Sequence, residues 1–74
     1  MAEGPARPPG NLTARQAEVL RLLAAGLSNK QIADRLCLSR GTVERHLATI
    51  YHKLGLGGRV DAARFAVEND LARR

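Results

Sequence analysis

The sequence is poor in the residues that anchor most small cores: in 74 residues it has no tryptophan, one phenylalanine and one tyrosine. With aromatics at 3%, the interior has to be assembled from Leu, Val, Ile and Ala, and a modest stability is expected. The lone Cys37 has no partner for an internal disulfide or for the thiolate pairs of a structural zinc module. It fits a reducing compartment and reads as a small packing residue. No apolar run approaches the roughly 20 residues that span a bilayer, and the opening "MAEGPARPPG" lacks the apolar block of a signal peptide. A cytoplasmic location is the expectation.

Acidic residues are scarce as well, 7 against 12 Lys and Arg, and the resulting formal net charge of +5 points to a polyanionic partner. A membrane surface is disfavoured, because the basic residues are spread thinly and no Trp is present to anchor a helix at an interface. Catalytic machinery is missing too. Cys37, His46 and His52 are the only residues near the middle with easily tuned nucleophilic or acid-base chemistry, and there is no Gly-rich phosphate loop or carboxylate pair. His46 and His52 are six residues apart and point to different sides of a helix, so they do not form a metal site. The expectation is a binding protein without catalytic activity, metal or cofactor.

What is present is helical grammar. Residues 1 to 11 hold all three prolines plus Gly4 and Gly10 and read as a disordered tail or the end of a linker. From Leu12 to Arg74 the chain reads as one all-α domain of four helices, at about 14–25, 29–36, 40–54 and 59–71. The first opens with a capping box, Thr13 and Gln16, and stops at Gly26, with Ala17, Leu20, Leu23, Ala24 and Leu27 along one face and Val19 widening it. The second repeats the box with Ser28 and Gln31 and turns Ile32, Ala33 and Leu36 inward. A turn of about three residues leads to Ser39, the N-cap of the third helix, which is helix-turn-helix spacing. The third helix ends at Gly55, a residue suited to positive φ. On the fourth, Val60, Ala63, Val67 and Leu71 recur at helical spacing, while Ala62, Phe65 and Ala66 form a second apolar patch with Asn69 beside it. Two apolar faces on one helix imply two partners.

In "SRGTVERHLATIYHKLG" the apolar residues Val43, Leu47, Ile50 and Leu54 form one stripe, and Arg45, Ala48, Thr49 and His52 lie away from it. A helix-turn-helix needs only such a polar face for the major groove, with the preceding helix across the backbone. Arg45, almost opposite the stripe, suits guanine O6 and N7; Glu44 suits cytosine N4; Ala48 suits a thymine methyl; Thr49 suits a base or a phosphate. Ser28, Asn29 and Lys30 at the start of the second helix suit a phosphate, as do Arg40, Thr42 and Lys53 flanking the groove-facing surface. His46 sits beside the stripe, where core packing is its first reading and a phosphate contact its second.

The stretch "LTARQAEVLRLLAAGLSNKQIADRLCLSRGTVERHLATIYHKLGL" resembles the LuxR/GerE-type helix-turn-helix domain of bacterial transcription regulators, and the likeness extends from residue 12 to about 71. The resemblance implies a third helix in the major groove and a fourth that dimerises on an inverted-repeat operator, here through Ala62, Phe65, Ala66 and Asn69. It places base contacts at Glu44, Arg45 and Ala48 and phosphate contacts at or near Asn29, Lys30, Thr42 and Lys53. Double-stranded DNA, a second copy of the chain and RNA polymerase are the partners it implies, on the bacterial nucleoid. Two departures matter: many members carry a basic residue where this chain has Glu44, and often a polar or basic one at Ala48. Gln16 stands where Glu is common and still completes the capping box. The rival readings are a sigma-factor-like promoter-reading domain and a protein-interaction module that works through the fourth helix.

Overall fold

A computed structural model describes residues 11–69. It contains four helices in chain order: α1 (Ala14–Ala24), α2 (Asn29–Leu36), α3 (Arg40–Leu54) and α4 (Arg59–Glu68). Of the expected tail at residues 1–11, residues 1–10 lie outside the described residues, as does the expected end of α4 through Leu71; Asn11 is described, and its carbonyl accepts from Lys53 Nζ at 3.2 Å. Asn69 is the C-cap of α4, and α1 ends one residue before the expected Ala25, which becomes its C-cap.

Local hydrogen bonds explain why the helices begin where they do. The Thr13–Gln16 and Ser28–Gln31 boxes have the same geometry: Thr13 Oγ1 accepts from the Gln16 N–H at 3.0 Å while Gln16 Oε1 accepts from the Thr13 N–H at 3.0 Å. Ser28 and Gln31 exchange the same pair of bonds at 3.1 and 2.8 Å. Ser39 Oγ accepts from the Thr42 N–H at 3.1 Å, so α3 is capped without the reciprocal bond. Each cap satisfies donors that helix geometry leaves orphaned.

The ends of α1, α2 and α3 share one solution as well. Gly26, Cys37 and Gly55 all have positive φ, at 98°, 59° and 65°. The next residue in each case, Leu27, Leu38 or Leu56, donates its N–H to a carbonyl five residues back, on Leu22, Ala33 or Tyr51, at 3.2, 2.9 and 2.9 Å. This is the Schellman arrangement, and the leucine that follows the left-handed residue packs against the core every time. Cys37 is therefore exposed at a left-handed backbone position, not the packing residue expected of it.

Packing centres on α1, which touches all three other helices, while α2 also rests on α3. Val19, Leu20, Ile32, Val43 and Ile50 are fully buried, and Leu12, Leu22, Leu23, Ala33 and Leu47 close around them. The α3 stripe is as expected for Val43, Leu47 and Ile50, with Leu54 half-buried. On α1 the buried face is broader than the expected one: Leu22 joins it, and Gln16 is only 8% exposed.

The fourth helix is the correction. Ala62 and Ala66, expected to meet a second copy, are 0% exposed and pack in the core, whereas Val60 and Val67 stand 75% and 63% exposed. Phe65 is half-buried against the core, and exposed Asn69 donates its Nδ2 to the Phe65 carbonyl at 2.9 Å. The reason is size: two alanines one turn apart let the backbone of α4 lie close on α1, and bulkier valines on that face would hold the helices apart. Ala66→Glu should therefore cost several kcal/mol, a large part of a total near 5–15, since it buries an unpaired carboxylate. Val67→Glu should change stability by no more than about 0.5 kcal/mol. Urea unfolding followed by helical circular dichroism separates the two, and equal costs would mean that the faces of α4 are assigned wrongly.

Candidate nucleic-acid interface

The turn of Cys37, Leu38 and Ser39 joins α2 to α3, and its position is set by the Leu38 N–H bond to Ala33 and the Ser39 cap. Burial of Val43, Leu47 and Ile50 forces the other side of α3 outward. Glu44, Arg45 and Ala48 are exposed there, Gly41 and His52 continue the exposed surface, and Thr49 and His46 are half-buried at its margins. No described arginine forms an ion pair with Glu44, so the carboxylate is available to an external donor.

The candidate phosphate residues fall into two groups. At the start of α2, exposed Ser28 and Lys30 and half-buried Asn29 share a groove of about 570 Å³ with Gly26, Leu27, Gln31, Arg40 and Arg59. Ser28 uses its oxygen for capping, which leaves its hydroxyl proton for another acceptor. Lys30 meets Asp34 at 3.2 Å, a pair that is 70% exposed on both sides and contributes only about 0.3–0.5 kcal/mol. Asn29 is already engaged, because its Oδ1 accepts from Arg59 Nη1 at 2.9 Å.

The second group lies along α3. The Thr42 hydroxyl is 2.9 Å from that of Ser39, within the cap. Lys53, in the last turn, donates to the Asn11 carbonyl at 3.2 Å and to Gln16 Oε1 at 3.1 Å. Two of its three ammonium protons are thus used inside the fold, tying the end of α3 to the start of α1, and one remains.

Two residues of consequence escaped the sequence reading. The sequence pattern marks Gln16 only as half of a capping box, yet its single carbonyl oxygen also receives Lys53. Nothing in the local pattern marks a contact 37 residues away. The sequence pattern gives Arg59 no role, because the acceptors that hold it lie outside its own helix and far from it in the chain. They are Asn29 Oδ1 and the Leu27 carbonyl.

The described residues contain no cluster of three His, Cys, Asp or Glu, and no described helix is long and apolar enough to cross a membrane. Because Gln16 serves both cap and Lys53 while Gln31 serves only a cap, Gln16→Ala should destabilise the fold by about 1–2 kcal/mol, and Gln31→Ala by clearly less. Denaturant midpoints measure both. Equal losses would show that the Lys53 bond adds nothing.

Comparison with known proteins bears on this surface. A family model described as bacterial regulatory proteins, luxR family, matches residues 10–66. The chain is 54% identical over 56 residues to a Mycobacterium bovis protein named as an HTH-type transcriptional regulator, covering 76% of this chain and 6% of that one. It is 49% identical over 55 residues to the Fimbriae Z protein of Escherichia coli, covering 74% of this chain and 26% of the relative. With the DNA-binding transcriptional activator DevR/DosR of Mycobacterium tuberculosis it shares 44% identity over 61 residues, 82% of this chain and 28% of the relative. The chain therefore spans less than a third of the length of these relatives. Matched over most of its length by that family model, and folded as four helices with α2 and α3 joined by a short turn, the chain belongs to the LuxR family of bacterial regulatory proteins and carries its helix-turn-helix DNA-binding domain.

Proposed function

We propose that the domain reads double-stranded DNA sequence-specifically, with α3 in the major groove, and that it does so as a dimer on an inverted repeat to regulate transcription. The observation that carries this reading is the exposed Glu44, Arg45 and Ala48 face, set directly opposite the buried Val43, Leu47 and Ile50 and flanked by α2. Arg45 supplies a planar fork for guanine O6 and N7, Glu44 accepts from cytosine N4, Ala48 meets a thymine methyl, and Thr49 works at the margin. Ser28, Lys30, Arg40, Thr42 and the remaining proton of Lys53 contact phosphates, with Asn29 and His46 supporting them from half-buried positions. The Glu44 carboxylate repels phosphate, so it favours a pose in which α3 inserts deeply enough for that side chain to face a base edge.

The partner copy docks on the outward face of α4. Val60 and Val67 lie seven residues apart on one side of the helix with half-buried Ala63 and exposed Arg64 between them, and this pair replaces Ala62 and Ala66 as the self-association surface. Two valines make a small contact, so pairing takes place on DNA, where the two half-sites hold the copies together. RNA polymerase is the downstream partner of such a regulator.

Selection from a random pool of duplex DNA, followed by sequencing of what the purified chain retains, tests the reading. An inverted repeat with half-sites about one helical turn apart is the expected product; retention with no sequence enrichment would sink it. On the selected site, Arg45→Ala should relax the preference at one base position by about 1–3 kcal/mol. Val67→Glu should leave affinity for a single half-site intact and reduce co-occupancy of the repeat in a gel-shift titration. If co-occupancy is unchanged, α4 is not the pairing surface.

A further inference from the structure

We propose that Arg59 is a DNA-phosphate ligand contributed by α4, completing a three-helix cationic groove beside the recognition helix. The inference rests on the DNA-binding reading above and extends it to a residue outside the helix-turn-helix.

Arg59 occupies the first position of α4, behind a glycine N-cap that makes no side-chain bond. A guanidinium there is not favoured by its own helix, because the helix start is already electropositive. It is held across the domain instead, with Nη1 donating to Asn29 Oδ1 at 2.9 Å and Nη2 donating to the Leu27 carbonyl. Both acceptors are neutral, so these bonds fix the fork without cancelling its charge. Three other cations do meet carboxylates: Arg15 and Arg21 both lie against Glu18, and Lys30 meets Asp34. Asp61, two residues beyond Arg59, turns its Oδ2 to the Gly57 N–H at 3.0 Å.

The fork lies in a groove lined by Gly26, the α2 start from Leu27 to Gln31, and Arg40. Lys30 of α2, Arg40 at the first position of α3 and Arg59 of α4 thus line one concavity, and no carboxylate lines it. With two of five guanidinium N–H groups engaged, three remain for an external acceptor. An oxyanion with several acceptor oxygens suits that arrangement, since charge-assisted bonds from a pre-positioned fork are strong and lose little side-chain freedom. Arg40 starts the helix that carries Arg45 and Glu44, so the anion that fits is a backbone phosphate flanking the bases read by that helix.

The test is fluorescence anisotropy of the chain with a labelled duplex carrying the selected site and with a scrambled duplex, over a salt titration. Each phosphate ligand lost should make the slope of log K against log salt shallower by about one unit. Arg59→Ala is expected to do this on both duplexes and to leave the base preference unchanged. Arg59→Lys, which keeps the charge, should retain the wild-type slope. Arg59→Gln removes the charge and keeps a polar side chain, and it should reproduce the shallower slope even if Arg59→Ala folds poorly. A wild-type slope in Arg59→Gln, or in a folded Arg59→Ala, overturns the proposal and makes Arg59 a purely internal clamp. Absence of salt-dependent binding by the wild-type chain overturns the DNA-binding reading itself and this proposal with it.

Discussion

Every other helix of this domain depends on α1 for its cover. In a chain this small, without Trp and with one Phe, no large side chain bridges the interior, so aliphatic residues on several sides of one helix have to serve as a common floor. Val19 and Leu20, adjacent in sequence and both fully buried, take up more than one side of α1, and Leu22 and Leu23 extend the surface. Helix α3 gains a fixed pose because it lies on that floor and on α2 together. Its exposed face is a consequence of burial: the tighter Val43, Leu47 and Ile50 are held, the more narrowly Glu44, Arg45 and Ala48 are aimed.

Around this floor the ends of the elements are fixed by short-range chemistry. The two complete capping boxes, the Ser39 cap and three Schellman endings satisfy orphan donors and acceptors at the helix boundaries, and each ending drives a leucine back against the core. Helix stops and core closure are thus one event. The turn between α2 and α3 shows the consequence, since it carries a left-handed cysteine where glycine would be easier, a cost that the surrounding bonds hold in place.

Charge placement connects the fold to function. Gln16 and Asn29 are neutral acceptors that hold cations, Lys53 and Arg59, without neutralising them. Carboxylates in their places would add attraction inside the fold but would reduce the positive field facing a polyanion. The helix proposed to pair copies, α4, is tied by the same Arg59 to the start of α2, so the surfaces proposed for phosphate and for a second copy are linked by one side chain.

Much of this was legible in the sequence, because the interactions responsible span three or four residues. The Thr13–Gln16 and Ser28–Gln31 boxes, the left-handed Gly26 and Gly55, the helix-turn-helix spacing and the α3 stripe are all written locally. What the tertiary structure alone decided was the orientation of α4 and the partners of Lys53 and Arg59. Helical spacing gives α4 two apolar faces, one with Val60, Ala63, Val67 and Leu71 and one with Ala62, Phe65 and Ala66, and helix-on-helix distance selects the face of small Ala62 and Ala66 for the core. Contacts such as Lys53 with Gln16 and Arg59 with Asn29 join residues 37 and 30 positions apart, and only the mutual approach of whole helices brings them together.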